Sequence, residues 1–173
     1  MLFALAIQLF CDIMYIMKNV HTDRCGPRTY RRKLVMKAKS LHFSKGGDVQ
    51  LIASEIGVKL QCVCDQIPPA YPCENEKVIF IGVHMNGKLP AAVDHFCKDL
   101  NPNRTKGVAF YVINNTGNTA GLDHIIEVMK KNGVATLAEP LGVAVKSSLF
   151  KKGFPTEEDI KNVVEWATKI AQA

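Results

Sequence analysis

Two uninterrupted apolar runs limit the folds that are open to this chain. They are Val78–Val83 and the stretch from Gly107 to Ile113. A strand that reads as a continuous apolar run is typically buried on both faces, as in a parallel sheet covered by helices. Because parallel strands need long crossover connections, these two runs predict an α/β domain rather than an all-β or all-α one.

Strand and helix patterns alternate around the two runs. Three further strands are expected, at 36–43, 58–64 and 134–138, and apolar residues resume at 141–145 after Pro140. Helices are expected at 49–56, from Leu89 onward, around 122–129, and after Thr156. Gly57 is expected to end the first helix, and Asp159 completes a capping-box pattern with Thr156. This order predicts a three-layer αβα sandwich with a five-stranded parallel sheet over residues 36–173.

The first 35 residues differ from the rest. They hold six of the 22 basic residues but two of the 16 acidic ones, and therefore four of the six net positive charges. Residues 1–17 are apolar except for Gln8 and Asp12. Three interpretations stay open: a start site assigned upstream of a true one near Met36, a membrane anchor, or a surface-docked helix. No basic residue precedes the apolar stretch, so a secretory signal is not supported.

The charge of residues 36–173 is nearly balanced, with 16 basic and 14 acidic side chains and no basic stripe. We therefore expect no nucleic-acid partner, and membrane contact only through residues 1–17. In the absence of a secretion signal the six cysteines are expected to be reduced, in the cytoplasm. Cys62 and Cys64 lack the spacing and the second pair of a zinc site, so no metal site is predicted. No side chain is assigned a catalytic role.

The loops at the carboxyl ends of the strands are the places to search for a ligand site. In open parallel sheets ligands bind there, near the point where strand order reverses. Those loops lie at 44–48, 84–89 and 114–121, with a further stretch after Val145. The first contains Gly46 and Gly47 and precedes a predicted helix. The two glycines form either a turn, with Asp48 capping that helix, or a loop that presents backbone N–H groups to an anion.

From Met36 to the end, about 138 of 173 residues, the chain resembles the flavodoxin family and most closely its small bacterial flavodoxin-domain proteins. The stretches that carry the resemblance are 44–49, 78–89 and 107–122. The resemblance implies a sheet of order 2-1-3-4-5 and an FMN cofactor. The family's phosphate loop reads Ser/Thr-x-Thr-Gly-Asn-Thr. Here Ser44 and Gly47 match it, whereas Gly46, Asp48 and Val49 depart from it.

The same resemblance implies a set of cofactor-binding residues in three loops. The phosphate loop would consist of Ser44, Lys45, Gly46, Gly47, Asp48 and Val49. The two loops beside the flavin ring would contain Gly82, His84, Met85, Asn86 and Gly87 after the third strand, and Asn114, Asn115, Thr116 and Gly117 after the fourth. Thr116–Thr119 spells a phosphate-loop tetrapeptide after the wrong strand, and we interpret it as a turn that leads into a helix.

Three functional hypotheses follow from these residues. The first is an FMN-binding electron carrier that acts between redox partner proteins, in which the flavin does the chemistry. The second is a flavin enzyme that reduces a quinone-type acceptor. The third is a cofactor-free binding or structural module, which the departures at Gly46, Asp48 and Val49 motivate. An electron carrier is favoured over an enzyme with its own substrate, and the oligomeric state stays open.

Overall fold

The computed structural model describes residues 37–145 and 153–173. The predictions for the first 35 residues therefore lie outside the described residues. The prediction for the stretch after Val145 lies outside them where it concerns residues 146–152. Within the described ranges, no helix is both long and apolar enough to cross a lipid bilayer.

Strands and helices alternate along the described residues, as the apolar pattern predicts. The strands are β1 (Ala38–Phe43), β2 (Val63–Gln66), β3 (Val78–His84), β4 (Gly107–Asn114), β5 (Ala135–Thr136) and β6 (Leu141–Ala144). The helices are α1 (Asp48–Leu60), α2 (Ala91–Lys98), α3 (Asp123–Lys131) and α4 (Glu157–Gln172), with a 3₁₀ turn at Ala120–Leu122. Thr156 and Asp159 form the predicted capping box at the start of α4.

The strands form one parallel sheet of order β2-β1-β3-β4-β5, which confirms the predicted order 2-1-3-4-5. β5 and β6 both pair with β4, with Gly107 opposite Ala135 and Tyr111 opposite Leu141. They are therefore two halves of the fifth strand position. The break between them contains Pro140, which cannot donate a ladder hydrogen bond.

Two apolar cores cover the two faces of the sheet. The core under α1 and α4 includes Val49, Ile52, Phe80, Tyr111, Val163 and Ala167. The core under α2 and α3 includes Ile81, Val93, Phe96, Val112, Ile125 and Met129. Every residue of β4 is buried, and β3 is buried up to its last residue. The three-layer αβα sandwich expected from the two apolar runs is thus confirmed.

The boundary between α1 and β2 was predicted wrongly. Gly57 does not end the helix, which continues to Leu60 and closes at Gln61 with φ of 53°. The strand starts at Val63 rather than at residue 58. A Cβ atom on Gly57 would lie 3.2 Å from both the Cys62 carbonyl oxygen and the Cys64 Cβ. This glycine therefore allows α1 to approach the chain that enters β2.

Two polar residues inside β1, Lys39 and Ser40, have partners that explain their presence in a central strand, whereas His42 Nδ1 is buried without a partner among the described residues. The Ser40 hydroxyl donates a 2.8 Å hydrogen bond to the Ala53 carbonyl oxygen of α1. The Lys39 ammonium donates to the carbonyl oxygens of Tyr71 and Pro72, at 3.2 and 2.9 Å. Lys39 thereby holds the proline-rich loop of residues 67–77 against the sheet. Because the loop carbonyl oxygens bind its ammonium group, the charge stays outside the apolar core.

Tyr111 occupies the space above Gly82 on the face that α1 covers. Its side chain is fully buried, and its hydroxyl donates to the Val49 carbonyl oxygen at 3.4 Å. A Cβ atom on Gly82 would lie 2.2 Å from Tyr111 Cζ. Gly82 therefore serves to admit the tyrosine ring between β3 and the start of α1.

We expect Gly82→Ala to destabilise the fold by about 1 to 3 kcal/mol, because the added methyl group overpacks a site filled by a buried ring. Urea denaturation of the full chain measures this change. In a Tyr111→Leu background, which lacks the atoms closest to the new methyl group, the same substitution should cost little. An equal cost in both backgrounds would show that the clash with Tyr111 is not its cause.

Candidate functional site

A groove opens at the carboxyl edge of the sheet, beside the ends of β1 and β3. Its volume is about 410 Å³. The lining residues are Phe43, Ser44, Lys45, Gly46, Asp48, His84 and Pro90. From β1 the chain proceeds to β2 on one side, whereas β3 lies on the other side, so the groove lies where strand order reverses. Ligands bind at this position in open parallel sheets.

The loop between β1 and α1 exposes its backbone at the helix N-terminus. Gly47 is the N-cap residue and has φ of 81°, a conformation that glycine adopts without strain. Its N–H donates to the Ser44 hydroxyl oxygen at 3.2 Å. A Cβ atom on Gly47 would meet nothing within 4 Å. A helix of 13 residues therefore presents its partially positive end, together with the exposed Lys45, at the groove.

Asp48 is the first residue of α1 and is fully buried. Its Oδ2 atom forms a hydrogen bond with His84 Nδ1. Burial of the carboxyl raises its pKa, but the hydrogen bond and charge of His84, the Val49 N–H and the Ser44 hydroxyl together outweigh burial. The pKa of Asp48 is therefore below its ordinary value, and the side chain is a carboxylate at neutral pH.

The second oxygen of this carboxylate lacks a partner. Asp48 Oδ1 is buried and accepts no hydrogen bond from any of the described residues. Buried polar atoms are nearly always paired, with protein or with water. This oxygen is therefore the clearest unmet hydrogen-bonding requirement at the groove.

His84 connects the buried carboxylate to the groove. It ends β3, and about a third of its side chain is exposed. Because a carboxylate only accepts hydrogen bonds, the neutral ring carries its proton on Nδ1, facing Asp48. Nε2 then has no partner within the described part of the chain. The pair of Asp48 and His84 therefore fixes the ring and leaves one ring nitrogen for a ligand or water.

The structure brings together part of the predicted site. Ser44, Lys45, Gly46, Asp48 and His84 line the groove. Gly47 lies on the loop that borders it, whereas Val49 is buried against the α1 face of the sheet.

The other residues of the predicted ring loop after β3 divide into buried and exposed ones. Gly82 is buried under Tyr111, and Met85 belongs to the core beneath α2 and α3. Asn86 and Gly87 are exposed, and a Cβ atom on Gly87 would meet nothing within 4 Å. Backbone groups rather than the Met85 sulfur are thus accessible after β3.

The loop after β4 is organised around Asn114. Its Oδ1 accepts from the N–H groups of Thr116 and Asn118, at 3.0 and 3.2 Å, and its Nδ2 donates to the Asn118 carbonyl oxygen at 2.7 Å. Thr116 and Asn115 are exposed. Residues 115 and 116 form a bend, and residues 117–119 lead without a regular turn into the 3₁₀ helix. A Cβ atom on Gly142 would lie 1.8 Å from the Gly117 carbonyl oxygen, so this loop packs directly on β6.

Sequence reasoning missed two lining residues, Phe43 and Pro90. Phe43 ends β1 and is partly buried against the core beneath α2 and α3. Pro90 is the N-cap residue of α2. They add apolar surface to the lining of the groove. The signal for Phe43 was its place immediately before the first candidate loop, at the carboxyl end of a central strand.

Metal ligands do not cluster among the residues that the structure describes, where no three His, Cys, Asp or Glu side chains come together. The described cysteines, Cys62, Cys64, Cys73 and Cys97, are all free thiols. Burial is the main cause that raises the pKa of Cys62 to about 11 and that of Cys97 to about 12. These thiols therefore stay protonated and are poor nucleophiles.

Comparison with known proteins supports the fold. No protein-family model matches the chain, and no curated protein sequence matches it. The crystal structure of oxidised flavodoxin 2 from Bacillus cereus is similar to this structure, with a TM-score of 0.56 and 19% sequence identity. The match covers 79% of this chain and 98% of the flavodoxin chain. The chain therefore has a flavodoxin-like α/β fold.

We expect the unfolding free energy of the Asp48→Asn variant to depend less on pH, in the acid range, than that of the wild type. A carboxyl with a depressed pKa stabilises the fold above its unfolded-state value, and this contribution is lost as the pH falls through the folded-state value. For Asp48 the loss begins as the pH falls towards its ordinary value of 3.8 and continues below it. Urea denaturation between pH 6 and pH 3 should therefore show a smaller decrease in unfolding free energy for the variant. Parallel curves for both proteins would contradict the assignment of Asp48 as a native-state carboxylate.

Proposed function

We propose that this chain is an FMN-binding electron-transfer protein. The observation that carries the proposal is the groove of about 410 Å³ at the N-terminus of α1, beside β1 and β3. Its volume lies within the range of small-molecule sites, roughly 300 to 1,000 Å³. The similarity in fold to a flavodoxin supports the choice of a flavin as the ligand.

The polar part of the groove lining offers groups suited to a phosphate. The backbone of Gly46 and Gly47, the Ser44 hydroxyl and the Lys45 ammonium lie at the helix N-terminus. The Asp48 carboxylate opposes an anion there. Its hydrogen bond to His84 and the nearby Lys45 reduce that opposition. The groove as a whole fits a phosphorylated ligand, with Asp48 as the one residue of unfavourable charge.

The apolar part of the lining suits a planar ring. Phe43 and Pro90 belong to it, and aromatic faces pack well against flat ligands. When bound, FMN would supply the storage and transfer of electrons. The residues of the chain would hold the phosphate, orient the ring beside His84 and exclude water from one side of it. We propose no catalytic side chain and no metal.

The partners of such a carrier would be redox proteins that dock near the groove and exchange electrons with the flavin. Lys45 and Lys88 are exposed on this edge of the sheet, so an acidic docking face would be favoured over a basic one. We propose a cytoplasmic location and no contact with nucleic acid.

A cofactor-free module is the second candidate, and one observation favours it. Asp48 is itself an anion at the N-terminus of α1, and it interacts with the Val49 N–H and the Ser44 hydroxyl. An internal carboxylate thus already satisfies part of the positive end of the helix. In that case the groove would bind neither FMN nor riboflavin.

Titration of the full chain with FMN distinguishes the two candidates. We expect FMN fluorescence to be quenched as the ring enters the groove. Lys45→Ala should weaken FMN binding about threefold to tenfold, because it removes an exposed positive charge near the phosphate. It should leave riboflavin binding, which involves no phosphate, nearly unchanged.

Lys59→Ala is the matched control, since Lys59 is exposed in the last turn of the same helix. It should not change FMN affinity. If FMN and riboflavin both remain unquenched at high micromolar protein, the electron-carrier proposal is wrong and the cofactor-free module is favoured. Equal losses in Lys45→Ala and Lys59→Ala would show that the phosphate does not bind beside Lys45.

A further inference from the structure

A second and larger depression lies at the amino edge of the sheet, whereas the groove beside Asp48 lies at the carboxyl edge. It is bounded by the starts of β3 and β4, by the chain that follows β5 and by the last turn of α4. Its volume is about 750 Å³, which is within the range of small-molecule sites, roughly 300 to 1,000 Å³. This depression is therefore large enough to take a ligand of its own.

Three lysines from three different elements line this depression. Lys77 and Lys106 directly precede β3 and β4, and Lys169 lies in the last turn of α4. The Lys77 N–H donates to the Lys37 carbonyl oxygen at 2.7 Å, and the Lys106 N–H donates to the Glu76 carbonyl oxygen at 2.9 Å. Within the described ranges, no ion pair or hydrogen bond involves the ammonium group of any of the three. The backbone thus fixes where two of these lysines start, and their charges lack partners there.

The site stays positive when its opposing groups are counted. No Asp or Glu side chain from the described part of the chain lines it. The carboxyl end of α4, at Gln172 and Ala173, also lines it, and such an end carries partial negative charge. Lys169 balances that charge from the last turn of the same helix. Even a full negative charge at Ala173 would be exceeded by the three ammonium groups.

The rest of the lining is largely apolar. Val78 is buried, Ile170 packs against the core beneath α1 and α4, and Leu137 is 43% exposed. Leu137 is also held in place, because its N–H donates to the Val108 carbonyl oxygen at 2.9 Å. Its side chain covers Gly107 so closely that a Cβ atom there would lie 2.5 Å from Leu137 Cδ2. An ordered apolar surface therefore accompanies the positive charges.

We propose that this depression binds a long-chain carboxylate, an anion with one unbranched apolar chain. The carboxylate would accept charge-assisted hydrogen bonds from Lys77 and Lys106, and the chain would cover Leu137 and Ile170. A polyanion such as a nucleic acid would leave the apolar surface uncovered. The nearly balanced charge of residues 36–173 attracts an anionic membrane only weakly, which favours a single free ligand over a lipid surface. The proposal does not depend on flavin binding.

Titration calorimetry of the full chain with dodecanoate, below the concentration at which it forms micelles, tests the proposal. We expect dodecanoate to bind and decanoate to bind about tenfold more weakly, because it buries two fewer methylene groups. Acetate, which has the charge without the chain, should not bind. Dodecyltrimethylammonium, which has the same chain with the opposite charge, should not bind either. Added salt should weaken dodecanoate binding, since the lysines are exposed.

Exposed lysines allow variants that leave the fold intact, which urea denaturation verifies. Lys77→Gln and Lys106→Gln should each weaken dodecanoate binding about twofold to fivefold, because each removes one exposed charge beside the carboxylate. Lys130→Gln is the matched control, since Lys130 is exposed in the last turn of α3 and does not line the depression. It should leave dodecanoate affinity unchanged.

Four outcomes would overturn the proposal. Dodecanoate could fail to bind at millimolar concentration, or dodecyltrimethylammonium could bind equally well. Lys130→Gln could weaken dodecanoate binding as much as Lys77→Gln and Lys106→Gln do. Dodecanoate could displace FMN, which would place it in the groove at the carboxyl edge. Finally, the chain could bind phosphatidylglycerol vesicles but not dodecanoate, and the amino edge would then be a membrane-contact surface instead.

Discussion

The burial of β3 and β4 on both faces is the constraint on which the rest of the structure depends. Each residue of β4 is buried, and so is β3 as far as Val83. Such strands need helices above and below them, and parallel pairing then requires each helix to cross from one end of the sheet to the other. That crossing places the start of every helix at the carboxyl edge. The groove beside Asp48 is thus a consequence of how the core is covered.

Much of the fold could be predicted because the spacing of apolar residues along the sequence indicates both the type of each element and how it is buried. The apolar runs that form β3 and β4, the capping residues Thr156 and Asp159, and the break at Pro140 were all correctly interpreted. The end of α1 was not. Gly57 is a common helix terminator, but here it is retained inside the helix because Cys62 and Cys64 approach it closely. Tertiary proximity of this kind has no local signal.

The candidate site was predictable in position but only partly in composition. The rule that ligands bind at the loops after parallel strands located Ser44, Lys45, Gly46 and His84 at the carboxyl edge of the sheet. It could not reveal that Asp48 and His84, 36 residues apart, form a hydrogen bond. Nor could it show that Met85 faces the core beneath α2 and α3, because the side on which a residue leaves a strand depends on register. The partners of Lys39 and Ser40 in β1 could not be predicted either, since they lie on the loop of residues 67–77 and on α1.

The division of the fifth strand into β5 and β6 also affects how two copies of this protein can meet. An uninterrupted edge strand offers a row of free N–H and C=O groups to which another molecule can add. Here that edge consists of one piece of two residues and one of four. At the opposite edge, β2 is four residues long, and Asp65 satisfies the N–H groups of Gln66 and Ala70 at 2.8 Å each. Within the described residues both margins of the sheet are therefore short, and short edge strands are one of the ways in which proteins limit edge-to-edge pairing.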